Sequence, residues 1–215
     1  VTGVQTCALP ISDKRNLDTF IPALIAACPG VRILSTGGTY AAIEGILGEK
    51  AEGTLVKVSD YTSQPEMQGG LVKTLDFKIY LGLLSETYNE AHQADHKRLA
   101  AAPIDMVVVN LYPFEETAAK ALVTPEEART NIDIGGPCMV RASAKNYLRV
   151  ASVTDPADYA AIAGELAANG GTLGLETRFG LMRKAFRHTA SYDAAIADFF
   201  AAATFDSVDA TYSQH

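Results

Sequence analysis

The chain has 215 residues, of which 48% are hydrophobic and 20% are charged. This length and apolar content suit one domain with a sizeable core, and they exclude an intrinsically disordered chain. The net charge of −7 argues against nucleic-acid binding, so an anionic ligand needs a local pocket. No apolar run approaches the roughly 20 residues of a membrane span, so no membrane contact is expected. The three cysteines lack metal-ligand spacing and favour a reducing compartment such as the cytoplasm.

The N-terminal segment 1–11 is the hardest part of the sequence to interpret. It has no charged residue and therefore lacks the basic region of a signal peptide. An α/β fold needs a first strand just before Ser12, but Pro10 lies there, and proline removes a donor from a central strand. We interpret residues 1–11 as non-native sequence of the kind that adapter read-through produces. A genuine short tail is the alternative.

Short apolar runs alternate with helical patterns along the rest of the chain. Near-continuous Val and Ile content predicts buried strands of a parallel sheet at 31–35, 54–58, 104–111 and 149–154. Amphipathic spacing predicts helices within 16–28, 39–47, 85–101 and 156–170, the last with Asp155 as N-cap and Gly170 as C-cap.

This alternation predicts an α/β fold with a mostly parallel sheet flanked by helices. Residues 12–170 form the predicted domain. Residues 171–215 form a C-terminal helical extension, because 173–204 has helical spacing and no strand follows. That stretch is either one long helix or a helix pair, or else a connector to a second domain.

Polar turns follow the predicted strands, where a doubly wound sheet binds its ligands. Ser-Thr-Gly-Gly-Thr at 35–39 opens a helix, so its backbone N–H groups suit an anion. The same residue types are also ordinary helix caps. The long loop 59–75 ends in Lys73 and Thr74, and a long loop inside a compact domain is more often functional than not. Lys73 is either a phosphate or carbonyl ligand or a solvated side chain.

The strand at 104–111 ends in Asn110, and Tyr112 follows, which places an amide and a phenol at the carboxyl edge of the sheet. The alternative for Tyr112 is a ring in the core with its hydroxyl in water. Further along, Asp133 precedes a Gly-Gly-Pro helix start. Arg141 and Lys145 follow on one helical face, and spacing alone does not decide whether Asp133 meets Lys145 or whether this face is only a solvated basic stripe.

Support for a metal site is weak. His92 and His96 have a spacing that could bind a metal, but they lie in a polar run that is more simply a solvated helix face. His188 and His215 are isolated in the sequence. The chain contains no nucleophile elbow, no dinucleotide-binding glycine motif and no Walker motif.

Taken together and in this order, the segments resemble a known family, the IMP cyclohydrolase domain that is usually fused to an AICAR transformylase. The resemblance covers about residues 12–204. The matching segments are ISDK, STGGT, SDYT-x-x-PEM-x-GG-x-VKTL, VVVNLYPFE, NIDIGGP-x-MVRA-x-AKN and KAFRHTASYDAAIA.

The resemblance implies a methylglyoxal-synthase-like fold and closure of 5-formamidoimidazole-4-carboxamide ribonucleotide to IMP with loss of water. This would be the last step of purine biosynthesis, catalysed by a hydrolase acting on cyclic amidines. It also implies a cytoplasmic homodimer, here as a stand-alone cyclohydrolase with a separate transformylase in the pathway. No metal, folate or other cofactor is needed, since the one-carbon unit is already attached to the purine ribonucleotide substrate.

Family positions transfer to this sequence in two groups. The implied catalytic residues are Lys145 as proton donor and acceptor, with Asp133, Lys73 and Tyr112. The implied substrate-binding residues are Ser12, Asp13, Lys14, Thr36, Gly37, Gly38, Thr39, Thr74, Val109, Asn110, Ile134 and Gly135.

The sequence departs from the family beside the implied site. Leu71 stands where the family usually has arginine, so one cationic contact is missing. Asp76, Phe77 and Tyr80 replace a histidine, a proline and a second histidine. Lys78 is a candidate to restore the lost charge.

Ring closure itself needs proton transfer, because the carboxamide nitrogen must lose protons and the formyl oxygen must leave as water. Our hypothesis is that Lys145, oriented by Asp133, shuttles protons while Lys73 and Tyr112 stabilise charge on oxygen. Two other functions on this fold stay open. One is methylglyoxal synthase, and the other is a non-catalytic nucleotide-sensing module.

Overall fold

The computed structural model describes residues 3–65, 73–111, 114–120 and 122–212, without the side chains of 211 and 212. The sequence-based statements on Leu71 and Tyr112 therefore fall outside the described residues.

The core of the fold is a five-stranded sheet in which every described strand pair is parallel. The strand order is β3-β2-β1-β4-β5, so the order reverses between β1 and β4. This confirms the predicted α/β class, and β2 to β5 each lie inside a predicted run. The strands are β1 (Thr6–Leu9), β2 (Arg32–Ser35), β3 (Leu55–Lys57), β4 (Met106–Val108) and β5 (Ala151–Val153).

Eleven helices are present among the described residues, joined by 3-10 turns at Gly48–Ala51 and Pro156–Asp158. They are α1 (Leu17–Ala27), α2 (Gly37–Leu47), α3 (Val58–Thr62), α4 (Phe77–Leu84), α5 (Glu90–Leu99), α6 (Phe114–Ala118), α7 (Pro125–Thr130), α8 (Gly135–Lys145), α9 (Tyr159–Ala168), α10 (Leu175–Ala202) and α11 (Phe205–Tyr212).

The central strand β1 lies inside the segment that we interpreted as non-native. All four of its residues are buried, and it pairs with β2 on one side and β4 on the other. Pro10 comes one residue after Leu9, the last residue of the strand, so it removes no donor from within β1. Residues 6–9 therefore fill the position of the required first strand, and the non-native origin of 1–11 stays a prediction.

Alternation along β1 divides the core into two layers. Cys7 and Leu9 face one cluster, in which Phe20 of α1 stacks on Tyr159 of α9. Ala8 faces the other cluster, to which α4, α8 and α10 contribute. The sheet is covered on both faces, which explains why its strands are nearly continuous apolar runs.

The C-terminal elements test the predicted helix caps and the choice between one long helix and a helix pair. Asp155 accepts a hydrogen bond from Ala157 N at 2.9 Å, as expected of an N-cap, and Gly170 follows the cap residue Asn169 with a left-handed φ of 59°. The stretch 173–204 contains the single 28-residue helix α10, not a helix pair. α10 packs on α8, β5 and α6, so it forms part of the domain's second layer.

A partly buried arginine links the backbone segments at the amino edge of the sheet. Arg149 donates to the carbonyl oxygens of Gly82, Leu83, Ser85 and Ile104, and it pairs with Asp105 at 3.2 Å. Asp105 in turn accepts the N–H groups of Gln5, just before β1, and of Thr6, the first residue of β1. Burial raises the pKa of the Asp105 carboxyl, and Arg149 opposes that shift.

We expect Arg149→Leu to lower the free energy of unfolding by about 3 kcal/mol, because it leaves a mostly buried carboxylate without its cation and several carbonyls without a donor. Urea unfolding followed by circular dichroism measures the change. The matched control is Arg98→Leu, which removes an exposed arginine paired with Asp95 and should change stability by no more than about 0.5 kcal/mol. Equal losses in both variants would contradict the assignment.

Candidate functional site

The loops that follow β1 and β4 meet at the point where the strand order reverses. Such a switch point is where open α/β sheets bind ligands. Asn110, which is buried, accepts hydrogen bonds from Ser12 N at 2.8 Å and Asp13 N at 2.7 Å. Its Nδ2 donates to Asp13 O at 2.9 Å. The Asn110 amide therefore fixes the backbone of the 12–14 loop.

The turn between β2 and α2 presents backbone donors to solvent. Thr36 is the N-cap, and Gly37 and Gly38 are exposed in the first turn of the 11-residue helix α2, where N–H groups have no intrahelical partner. Thr39 is different, because its buried hydroxyl donates to Ile11 O and accepts from Ile11 N. Thr39 anchors the turn, while Gly37 and Gly38 are the candidate anion binders.

Two lysine ammonium groups lie at this helix N-terminus. The Lys73 Nζ is 3.1 Å from the point that a Cβ on Gly37 would occupy, and the Lys14 Nζ is 4.0 Å from the equivalent point on Gly38. A helix N-terminus carries partial positive charge, so two cations beside it repel both it and each other. A bound anion would offset this repulsion, which makes the cluster a candidate phosphate site.

Lys73 and Thr74 link this cluster to the N-terminus of α8. Thr74 Oγ1 is 2.9 Å from the point that a Cβ on Gly135 would occupy. Asp133 accepts the Gly136 N–H at 3.0 Å, and its Oδ2 would be only 2.3 Å from a Cβ on Gly136. Because Gly135 and Gly136 have no side chain, Thr74 can lie close to Gly135 and Asp133 close to Gly136. The N-termini of α2 and α8 therefore border one region that includes Lys73 and Asp133.

The structure does not bring Lys145 to this region within one chain. Lys145 is exposed in the last turn of α8, whose 11 residues span about 16 Å. That end of the helix leads into β5, at the amino edge of the sheet, whereas Asp133 lies at the other end.

Two other predicted contact residues differ in how they meet the site. The Val109 side chain is buried in the core and its N–H donates to Val153 O, so a ligand can meet only its carbonyl. Ile134 is 57% exposed beside the α8 N-terminus and presents an apolar side chain to the region.

A cavity of about 1020 Å³ adjoins the other side of the 12–14 loop. Ser12, Asp13 and Asn110 line it, and α10 forms its opposite wall with Lys184, His188 and Tyr192. His188, which is isolated in the sequence, lies in this wall of the cavity. Lys184, His188 and Tyr192 follow one another at intervals of four residues, which predicts that they share one face of a helix. This spacing was available in the sequence and was not used above.

Several of the charged groups that line the cavity form ion pairs. Asp13 forms an ion pair with Arg15 that lowers the pKa of its carboxyl, and Lys184 pairs with Asp158 at 2.7 Å. Burial lowers the pKa of His188, which favours the neutral imidazole.

The two histidines considered for metal binding form hydrogen bonds within the protein. His96 is buried, with Ser85 Oγ at 2.6 Å from its Nε2 and Ala101 O at 3.1 Å from its Nδ1, so the expectation of a solvated face was wrong for it. His92 accepts a hydrogen bond from Glu86 N. Throughout the described ranges, no group of three or more His, Cys, Asp or Glu residues is arranged to hold a metal ion.

One of the departures beside the site, Asp76, has a local structural role. Asp76 caps α4 by accepting the Lys78 N–H at 2.7 Å. Lys78 donates to Tyr61 O at 3.3 Å and lies over the Tyr61 ring. The Lys78 ammonium group is thus bound to Tyr61 and not to the candidate site.

Two known families match parts of this chain. The family described as "MGS-like domain" matches residues 20–138, more than half of the chain. The chain belongs to the MGS-like domain family. A second family, described as "AICARFT/IMPCHase bienzyme", matches residues 143–215, and together the two matches identify an IMP cyclohydrolase-like domain of the MGS-like superfamily.

A solved structure described as "Crystal structure of ForH" has a similar fold and sequence. The TM-score is 0.76 and the sequences are 31% identical over 92% of this chain and 99% of that chain. This MGS-like chain has no helix within its described part that is long and apolar enough to cross a membrane.

We expect Asn110→Asp to lower the unfolding free energy by about 1–3 kcal/mol, because a carboxylate still accepts two N–H groups but cannot donate to Asp13 O. Chemical denaturation measures the change in unfolding free energy. The control is Asn89→Asp, since Asn89 caps α5 only by accepting from Ala91 N and His92 N, which aspartate does equally well. A stable Asn110→Asp protein would contradict the role given to the donated bond.

Proposed function

We propose that this chain is an IMP cyclohydrolase, which closes 5-formamidoimidazole-4-carboxamide ribonucleotide to IMP and releases water. The observation that carries the proposal is the pair of lysine ammonium groups at the N-terminus of α2, linked through Thr74 to Asp133 at the N-terminus of α8. Membership in an IMP cyclohydrolase-like family supports it.

The substrate phosphate would bind the N–H groups of Gly37 and Gly38, with Lys14 and Lys73 supplying positive charge. Thr36 and the 12–14 loop would border the phosphate and ribose. The base end would lie towards α8, where Thr74 and Gly135 contact each other and the exposed Ile134 side chain offers an apolar surface. The heterocycle would thus lie beside Asp133.

The reaction forms a bond between the carboxamide nitrogen and the formyl carbon. Because both groups are on one ring, holding them face to face removes most of the entropic barrier to attack. The formyl oxygen gains negative charge, and a cation beside it would stabilise that charge. The nitrogen must lose protons and the oxygen must leave as water, and we assign this acid–base exchange to Asp133 together with the Lys145 of a second copy of this chain. Tyr112, implied by the family resemblance, lies outside the described residues.

Lys145 lies away from the other residues of the proposed site. It stands exposed at the far end of α8, so it can reach a substrate only in a second copy of this chain. We propose a homodimer in which each copy's Lys145 serves its partner's site, with the proton shuttle that the family resemblance implies.

A nucleotide-sensing module is the second candidate function. Asp76, which replaces a histidine of the family, is committed to capping α4, and Lys78 to Tyr61. A chain that has lost these polar groups beside the site would bind a nucleotide and leave it unchanged.

The deciding experiment follows purine ring formation by ultraviolet absorbance with the formylated ribonucleotide, alongside calorimetric titration with IMP. Turnover supports the cyclohydrolase. Binding of IMP without turnover supports the sensor. Release of phosphate from dihydroxyacetone phosphate, with neither of the other results, would instead indicate a methylglyoxal synthase.

We expect Lys73→Ala to weaken IMP binding at least about tenfold, because it removes a charge-assisted contact at the phosphate. Lys50→Ala, which removes an exposed lysine of the turn after α2, should bind IMP as the wild type does. Unchanged affinity in Lys73→Ala would remove the phosphate site from the proposal.

We expect Lys73→Ala and Lys145→Ala to be inactive alone and to recover up to about a quarter of wild-type turnover when unfolded and refolded together, since half of the chains pair as hybrids with one intact site. Full turnover by Lys145→Ala alone would show that this lysine has no role. No recovery on mixing would contradict a shared site.

A further inference from the structure

Two polar side chains of α10 bind backbone N–H groups outside their own helix. The Tyr192 hydroxyl accepts the Asp133 N–H at 2.7 Å, and its ring is buried edge-on against Phe114. One turn earlier, His188 Nε2 accepts the Leu111 N–H at 3.4 Å. Other buried residues of this face, such as Leu181 and Ala185, contribute only apolar packing.

The two accepted N–H groups belong to the segments that carry the proposed site. Asp133 is the site carboxylate, and Leu111 directly follows Asn110, which shapes the 12–14 loop. The segments also touch each other, because Leu111 Cδ2 is 2.8 Å from the point that a Cβ on Gly136 would occupy. A shift of either segment would therefore move Asp133 relative to the phosphate-binding turn.

We propose that His188 and Tyr192 are positioning residues, which set the place of Asp133 and of the Asn110 loop through these two hydrogen bonds. The inference rests on the proposed function and extends it to α10, which supplies none of the residues assigned to that site. It also gives a role to the segment KAFRHTASYD, whose histidine and second aromatic residue are these two side chains.

The His188 bond requires a neutral imidazole, because a protonated ring has no acceptor. Burial favours that form, while Asp155 and Glu115 oppose it. The other charged groups that line the cavity are Asp13, Arg15, Glu116, Lys184 and Arg187. Two of these are anions and three are cations.

Tyr192→Phe removes one hydroxyl and keeps the ring. We expect the Asp133 amide to exchange with solvent at least about tenfold faster, measured by NMR. We also expect kcat for ring closure to fall about tenfold or more while KM changes less than about threefold, because a displaced carboxylate affects the reacting groups more than phosphate binding.

Tyr159→Phe is the matched control. Its hydroxyl is also buried, and it has no hydrogen-bond partner within the described residues, so its loss should change neither readout. Faster Asp133 exchange with unchanged kcat and KM would make Tyr192 merely structural and overturn the proposal. Unchanged Asp133 exchange would overturn it as well.

A second pair of variants tests His188. Glutamine keeps an acceptor without titrating, so His188→Gln should retain at least about half of the wild-type kcat near neutral pH. His188→Leu should lose about tenfold in kcat, since the Leu111 N–H loses its acceptor. Equal activity of the two variants would overturn the role of the hydrogen bond.

Different measurements would overturn the proposed function and the positioning role of His188 and Tyr192. Absence of both ring closure and IMP binding in the wild type overturns the proposed function and, with it, the catalytic part of this inference. The exchange rate of the Asp133 amide in Tyr192→Phe still reports the positioning bond, since it does not depend on any substrate.

Discussion

The side-chain amide of Asn110 is the interaction on which the arrangement of the site depends. It joins the ends of β1 and β4, two neighbouring strands between which about a hundred residues of chain intervene. Both of its oxygen lone-pair directions and one of its N–H groups are used on the backbone of the 12–14 loop. A buried polar group that is bonded in this way holds one loop conformation, because any other conformation leaves it unpaired.

Electrostatics then distinguishes the two sides of that loop. On the α2 side, Lys14 and Lys73 stand at the positive end of a helix, an arrangement that destabilises the empty protein and favours an anion. On the α10 side, Arg15 and Lys184 are paired with carboxylates. A net acidic chain therefore keeps a local concentration of positive charge, which is the basis of the proposed phosphate site.

Much of this was accessible from the sequence, for definite reasons. Strands β2 to β5 are buried on both faces, so they read as apolar runs, and the turn after β2 combines glycines with hydroxyl residues. The first strand was harder, because Pro10 made the segment look unsuited to a sheet although it lies just past Leu9. The short helices α3, α6 and α7 have five or six residues each, too few to show a clear period. His96 was misjudged because a polar helix gives no sign of one buried histidine bonded to Ser85.

The sequence by itself determined the alternating α/β order, the acidic charge and the types of residue at each turn, since these are local properties of the chain. Only the tertiary structure decided which turns meet. It placed Lys73 beside Gly37 and Thr74 beside Gly135, separated Lys145 from Asp133 by the length of α8, and brought α10 against the segments that hold Asn110 and Asp133. These distances follow from the strand order and from the packing of helices on the sheet, and neither is encoded in the spacing of residues along the chain.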